Sequence, residues 1–142
     1  MHIKDYINQI LNTITANPYV ESQRLSFEER PPDAAYINGV IIFIDGTKLH
    51  FKEFVVYKSA NINFLKYAYN YLTKNDTLVL RYDNAFDPKA KALPTYPEHK
   101  HLPDKLIAAS RPSFGSFKRN FKFNRSKKMM YLSPQEVLTN GQ

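Results

Sequence analysis

Two short polar runs in the second half of the chain hold the side chains best suited to chemistry. Arg81-Tyr82-Asp83-Asn84 follows the apolar run Leu78-Val79-Leu80 at the end of a predicted strand, and His99-Lys100-His101 lies further on in a stretch interrupted by prolines. Histidine changes its charge near neutral pH, so a pair of histidines can accept and release protons. Arginine and lysine supply the positive charge that a phosphate group attracts. The two runs therefore predict one site, with chemistry directed at a phosphate or at a metal ion.

Three interpretations fit these residues. The first is metal-independent cleavage of an RNA phosphodiester, which needs a general base, a general acid and a cation beside the developing charge. Its candidate catalytic residues are His99, His101, Arg81, Asp83, Glu53, Lys100 and Tyr82. The second is a divalent metal site in which the two histidines join Asp83 and Glu53. The third assigns no chemistry: Arg81 and Asp83 form an ion pair, and the histidines are surface residues of a loop. Two histidines alone are a weak indication of a metal, so the first interpretation is preferred, with no metal and no cofactor.

Glu53 lies far from these runs in sequence but in an informative position. Leu49, Phe51 and Val55 alternate with polar residues, and Glu53 falls in the same phase. This alternation places the carboxylate on the core face of a strand, where a charge must be paired or open to a cleft. Two hypotheses remain: Glu53 orients the histidines together with Asp83, or it forms a structural ion pair with Arg81.

The elements that must position these residues follow from periodicity and turn signals. Apolar residues at helical spacing predict a helix over residues 3–15, and the residue before Pro18 cannot easily continue it. Strands are predicted at residues 20–30, 36–44, 48–58, 62–72 and 77–83, with Asp45-Gly46 as a hairpin turn. Four prolines in residues 84–104 predict a loop without regular structure. Ser133-Pro134-Gln135-Glu136 has the order of a capping box and predicts a short helix over residues 133–140.

Together these elements predict a single α+β domain over residues 1–142. It consists of an antiparallel meander of about five strands, an N-terminal helix packed on it, a proline-rich loop and a short C-terminal helix. The chain has no cysteine, which excludes disulfides and thiol nucleophiles. Its longest apolar run, Val40–Ile44, is too short to cross a bilayer, and no signal peptide is recognisable, so we expect a cytoplasmic protein without membrane contact.

The formal net charge of +7 comes from one late segment. Residues 1–104 contain twelve basic and twelve acidic side chains, whereas residues 105–135 contain eight basic and no acidic ones. Phenylalanines are interleaved with these charges, a combination typical of surfaces that bind single-stranded nucleic acid. The predicted nucleic-acid contacts are Lys118, Arg119, Phe121, Lys122, Phe123, Arg125, Lys127 and Lys128. A solvated arm, or a segment that docks on an acidic partner, fits the same charges.

The longest ordered motif resembles a known family. Arg81-Tyr82-Asp83-Asn84-Ala85, followed by Tyr96-Pro97-Glu98-His99-Lys100-His101, is similar to the "RYDNA…FPHHKH" block of the TumE-like toxins of bacterial and archaeal toxin–antitoxin modules. The hairpin at residues 42–49 with Glu53 is similar to the family's "DGS-L…E" signature, and Tyr67 and Tyr69 resemble its Tyr-x-Tyr strand. The resemblance covers residues 3–110. It departs at Glu98, where many relatives have histidine, and residues 111–130 resemble an insertion.

The resemblance implies a small toxin that acts on RNA or translation and is neutralised by an antitoxin, usually a helix-turn-helix DNA-binding protein. Combined with the candidate site, it leads to the hypothesis of a metal-independent endoribonuclease. Arg81 and Lys100 would bind the scissile phosphate, and residues 111–128 would hold the RNA backbone. The alternatives are a non-enzymatic module that inhibits by binding RNA or a protein, and a metal-dependent nuclease that uses the two histidines. The oligomeric state is not predicted.

Overall fold

The computed structural model describes residues 2–112, 123–124 and 128–129. Within them the chain forms one α-helix, one short 3-10 helix (Pro88–Ala90) and nine strands. The bounds are α1 Ile3–Thr15, β1 Val20–Arg30, β2 Ala34–Phe43, β3 Lys48–Lys58, β4 Asn61–Leu72, β5 Leu78–Asp83, β6 His99–Leu102, β7 Lys105–Ala108, β8 Phe123–Asn124 and β9 Lys128–Met129. No helix of this part of the chain is long and apolar enough to cross a membrane.

Strands β1 to β7 form one open antiparallel sheet in which spatial order equals chain order. The β2–β3 turn shows how the local sequence determines the pairing of neighbouring strands. Gly46 has φ +89°, a conformation that glycine adopts without a steric penalty. The Asp45 carboxylate accepts hydrogen bonds from the Thr47 backbone N–H at 2.9 Å and from its hydroxyl at 2.6 Å. This turn sets the register that pairs Ile41 with Leu49. The predicted helix, hairpin and first five strands are thus confirmed.

The prediction of about five strands is wrong, because the sheet in residues 2–112 has seven. β6 lies inside residues 84–104, which were expected to form an irregular loop, and β7 lies at the start of the basic segment. The prolines lie outside both strands: Pro97 precedes β6, and Pro103 lies in the two-residue turn to β7. Proline is tolerated in such positions because no ladder hydrogen bond is required of it there. Pairing with β5, rather than local apolar alternation, therefore defines β6.

Helix α1 packs against one face of the sheet. Its buried Ile10 and Ile14 join a core with alternate residues of the strands, among them Ile37, Leu49 and Tyr69. We call this the helix side, and the opposite face the outer face. Paired residues on neighbouring strands project from the same face, and successive residues of a strand project from opposite faces. The register therefore assigns every candidate residue on β3, β5 and β6 to one of the two faces.

Predictions for the C-terminal part of the chain fall mostly outside the described residues. This applies to the helix expected over residues 133–140 and to most of the basic segment. The described pieces are β8 and β9, which pair with each other as a two-stranded antiparallel sheet.

Candidate functional site

Four candidate residues meet on the outer face, where β5 and β6 lie side by side. The register pairs Asp83 with His99 and Arg81 with His101. All four side chains therefore project from the same face, and we call Arg81, Asp83, His99 and His101 the outer-face cluster. The sequence predicted their association, and the β5–β6 pairing provides it.

Asp83 is the centre of the cluster. It is only 2% exposed. Its Oδ1 atom lies 3.1 Å from His99 Nε2, and its Oδ2 atom lies 3.1 Å from His101 Nε2 and 2.7 Å from Arg81 Nε. The backbone N–H of Ala85 also donates to Oδ1 at 3.0 Å. A buried carboxylate needs such partners because its charge has lost its hydration.

The tautomer of His99 follows from its other contact. Its Nδ1 atom lies 2.7 Å from the carbonyl oxygen of Pro97. A carbonyl oxygen only accepts, so Nδ1 carries the proton, and in neutral His99 the Nε2 atom carries a lone pair. That lone pair faces Asp83 Oδ1 and His101 Nε2, the latter at 2.9 Å. Metal-binding histidines are typically oriented in this way, with the distal N–H held by a backbone carbonyl.

Three donor atoms thus converge on one point. One atom each of Asp83, His99 and His101 lies within 4.8 Å of the others, and among the described residues this is the group with the composition of a metal site. Metal–nitrogen and metal–oxygen bonds of about 2.0–2.2 Å place neighbouring ligand atoms roughly 3–3.6 Å apart, depending on the coordination angle. The two Nε2 atoms lie 2.9 Å apart, and each lies 3.1 Å from a different oxygen of Asp83, at the short end of that range. They also leave no room for a phosphate between the two imidazoles.

The cluster changes from buried to accessible across a few ångströms. The His99 side chain is 0% exposed, that of His101 is 27% exposed and that of Arg81 is 39% exposed. Burial lowers the pKa of His101, and the Asp83 charge only partly opposes this effect. A low pKa favours the neutral imidazole, which is the form that binds metals. A ligand from solvent can reach the cluster past His101 and Arg81.

Glu53 lies on the helix side, away from the cluster. Its carboxylate is 1% exposed and accepts hydrogen bonds from the hydroxyls of Tyr6, at 2.6 Å, and Tyr69. Arg111 Nη1 stands 3.8 Å from Oε2. Burial raises the pKa of Glu53, with the tyrosine hydrogen bonds acting in the opposite direction. Neither sequence-based hypothesis for Glu53 includes these partners. The sequence places Tyr6 in the apolar stripe of the helix and Arg111 among the basic residues, and neither pattern indicates a contact with Glu53.

Tyr82 and Lys100 also lie on the helix side, paired with each other across β5 and β6. Lys100 is 1% exposed, and its ammonium stands 4.6 Å above the Tyr82 ring. It has no hydrogen-bond acceptor among the described residues. Burial lowers its pKa to about 8. Lys100 and Arg81, expected to bind one phosphate together, thus project from opposite faces.

The predicted nucleic-acid contacts can be located only in part. Phe123 belongs to β8 and Lys128 to β9. The other six lie outside the described residues. One functional group of the cluster was missed in the sequence, the Pro97 carbonyl that orients His99. A backbone carbonyl carries no residue-type signal, so only the folded turn could reveal it.

Comparison with known proteins identifies one matching family. A family model described as Toxin TumE matches residues 9–123. The matched span extends from α1 to β8 and includes all four residues of the outer-face cluster. No curated protein and no solved structure matches the chain. The match confirms the resemblance found in the sequence motifs.

Proposed function

The chain belongs to the family of TumE toxins, and from that premise we propose that it is a toxin that cleaves RNA with a divalent metal ion held by Asp83, His99 and His101. The observation that carries the proposal is the convergence of His99 Nε2, His101 Nε2 and the Asp83 carboxylate, whose contacts measure 2.9–3.1 Å, beside a solvent-accessible arginine. The sequence favoured a metal-independent reaction, which needs an acid and a base on two sides of a phosphate. Imidazoles in mutual contact cannot occupy two such sides, so the geometry supports the metal-dependent alternative better.

The chemistry of the donor set suits a phosphodiester. Two imidazoles and one carboxylate bind ions such as Zn²⁺ and Mn²⁺ and leave coordination positions open. An ion there would polarise a phosphate oxygen and stabilise the charge that develops as the phosphodiester breaks. His99 is oriented by the Pro97 carbonyl and Asp83 by the Ala85 N–H, so these two ligands would hold the ion in a preorganised site.

Arg81 supplies the second positive charge. Its Nε atom is held by Asp83 at 2.7 Å, while the side chain remains 39% exposed. The terminal nitrogens of the guanidinium are the part of the fork suited to a phosphate oxygen. In this arrangement Asp83 would hold the ion and also position Arg81 beside it.

Cleavage of a labelled RNA by the full chain tests the proposal. We expect cleavage that stops in EDTA and returns when Mn²⁺ or Zn²⁺ is added in excess. His101→Ala and Asp83→Asn should remove it, whereas His50→Ala, the same histidine substitution elsewhere on the outer face, should retain it. Cleavage that persists in EDTA, or equal cleavage by all variants, contradicts the proposal.

A metal-independent reaction is the second candidate. The 2.9 Å contact between His99 Nε2 and His101 Nε2 is also compatible with a shared proton, with His101 as the exposed member that meets substrate. Cleavage that survives EDTA but fails in His101→Ala would select it. Growth inhibition that survives both His99→Ala and His101→Ala would instead select a non-enzymatic inhibitor.

The toxin family also suggests a neutralising partner. We propose a cognate antitoxin, of the helix-turn-helix type that the family resemblance implies. Co-expression with the product of the neighbouring gene should relieve growth inhibition, and the two proteins should co-purify. Unrelieved inhibition would contradict this pairing.

A further inference from the structure

A groove of about 550 Å³ lies on the outer face and reaches the cluster. Its lining includes Arg81 and Asp83 at one end and Tyr36 and Phe54 at the other. Between them lies Ala68, which pairs with Lys52 on one side and Asp83 on the other. The small Ala68 side chain keeps the floor of the groove low. The groove is therefore continuous with the proposed metal centre.

The charged groups of the groove favour an anion. Lys52 and Lys66 are exposed and line it together with Arg81. Two acidic residues, Asp83 and Glu53, also belong to its lining. Asp83 is paired inside the cluster, and the Glu53 carboxylate accepts from Tyr6 and Tyr69 on the helix side. Three cations therefore face the groove without a free acidic neighbour among its lining residues.

Its apolar lining includes several aromatic rings. Phe86 lines the groove and is 79% exposed, an unusual exposure for a phenylalanine. Across the groove, Tyr36 and Phe54 are stacked, with their ring centroids 4.3 Å apart and their planes 13° apart. Arg30 lies over the Tyr36 ring at 4.4 Å, which fixes this wall further. An exposed ring beside lysines is the combination on which unpaired bases stack.

We propose that this groove binds a short stretch of unpaired nucleotides next to the bond to be cut, so that single-stranded RNA is the substrate class. The proposal rests on the proposed function and deepens it. Phe86 stacks on a base, while Lys52 and Lys66 contact the flanking phosphates. A duplex does not fit this scheme, because its base faces are stacked on each other and are not available to a side chain.

Binding can be measured apart from cleavage by working in EDTA. Fluorescence anisotropy of the full chain would use a labelled unpaired oligoribonucleotide and the same strand in a duplex. We expect Phe86→Ala to weaken binding of the single strand about tenfold, as the loss of one stacked base would. Lys52→Ala and Lys66→Ala should each reduce the salt dependence of log Kd by about one unit. Matched controls are Ile44→Ala, which removes another exposed apolar side chain, and Lys58→Ala, which removes another exposed lysine.

The two proposals fail in distinguishable ways. If RNA binds through the groove but is not cleaved under any metal condition, the groove proposal stands and the nuclease proposal is overturned. Metal-dependent cleavage with wild-type binding and rates in Phe86→Ala and Lys52→Ala overturns the groove. Equal affinity for single strand and duplex also overturns it. The groove proposal is also overturned if the groove variants lose antitoxin binding but still bind RNA, because the surface would then be a protein-binding site.

Discussion

Glu53 offers a substitution whose effects on stability and on activity should separate. Its buried carboxylate accepts from Tyr6 and Tyr69 and stands 3.8 Å from Arg111. Glu53→Ala would leave two hydroxyls and a guanidinium without this acceptor and open a cavity. Removing one partner of a buried pair in this way lowers the free energy of unfolding by about 3–5 kcal/mol. Glu53→Gln keeps the shape and one carbonyl acceptor, so we expect a smaller loss of about 1–2 kcal/mol.

Activity should respond differently, because Glu53 projects from the helix side and the cluster from the outer face. We expect the folded Glu53→Gln variant to cleave RNA at the wild-type rate. Urea denaturation measures the stability, and a cleavage assay with the fraction of folded protein measured beside it gives the rate. Tyr6→Phe is the matched control, since it removes one of the two hydrogen bonds and should cost about 1 kcal/mol. A Glu53→Gln variant of unchanged stability but lost cleavage would refute the reasoning and assign Glu53 to the chemistry.

Three further outcomes follow from buried or tightly packed groups. Because burial raises the folded-state pKa of Glu53, its contribution to stability is present below the unfolded-state pKa and is lost as pH rises through the folded-state value. The free energy of unfolding of Glu53→Gln, relative to wild type, should therefore increase in urea titrations as the pH rises above the usual glutamate pKa of about 4.3. A decrease would show that the hydrogen bonds of the ionised form outweigh burial. Lys100→Met should raise the free energy of unfolding by about 1–3 kcal/mol, because it replaces a buried ammonium that lacks an acceptor. A loss of stability would instead indicate a partner for Lys100 outside the described residues. Gly39→Ala should lower the free energy of unfolding by about 1–3 kcal/mol and with it the melting temperature. The new Cβ would stand 2.5 Å from Leu25 Cδ2 and 2.9 Å from the Arg24 carbonyl oxygen. An unchanged Tm would contradict this close packing.

The fold was predictable where a local pattern determines it. The apolar stripe of α1 and the Asp45-Gly46 turn are signals carried by a few neighbouring residues, and both elements form as expected. β6 has no such signal, since His-Lys-His-Leu does not alternate apolar and polar residues and its stability depends on pairing with β5. Prolines around it suggested a loop, although none lies within the four residues of the strand.

The candidate site was predictable as a set of residues but not as an arrangement. Arg81 and Asp83 belong to a strand that was predicted, so their common face, opposite to that of Tyr82, was already implied by the two-residue period of a strand. The same period separates His99 and His101 from Lys100, but only once β6 is known to be a strand. The contact of the two imidazoles, which shifts the preferred mechanism toward a metal ion, depends on the β5–β6 register and on the Pro97 carbonyl.

The most direct measurement is a metal titration of single-stranded RNA cleavage. The full chain, stripped of metal with a chelator and then freed of the chelator, would receive increasing Mn²⁺ or, separately, Zn²⁺. We expect no cleavage by the stripped protein. In wild type, but not in Asp83→Asn, the cleavage rate should rise and saturate near one ion per chain. Full cleavage by the stripped protein, or the same titration curve in Asp83→Asn, would contradict the proposed metal centre.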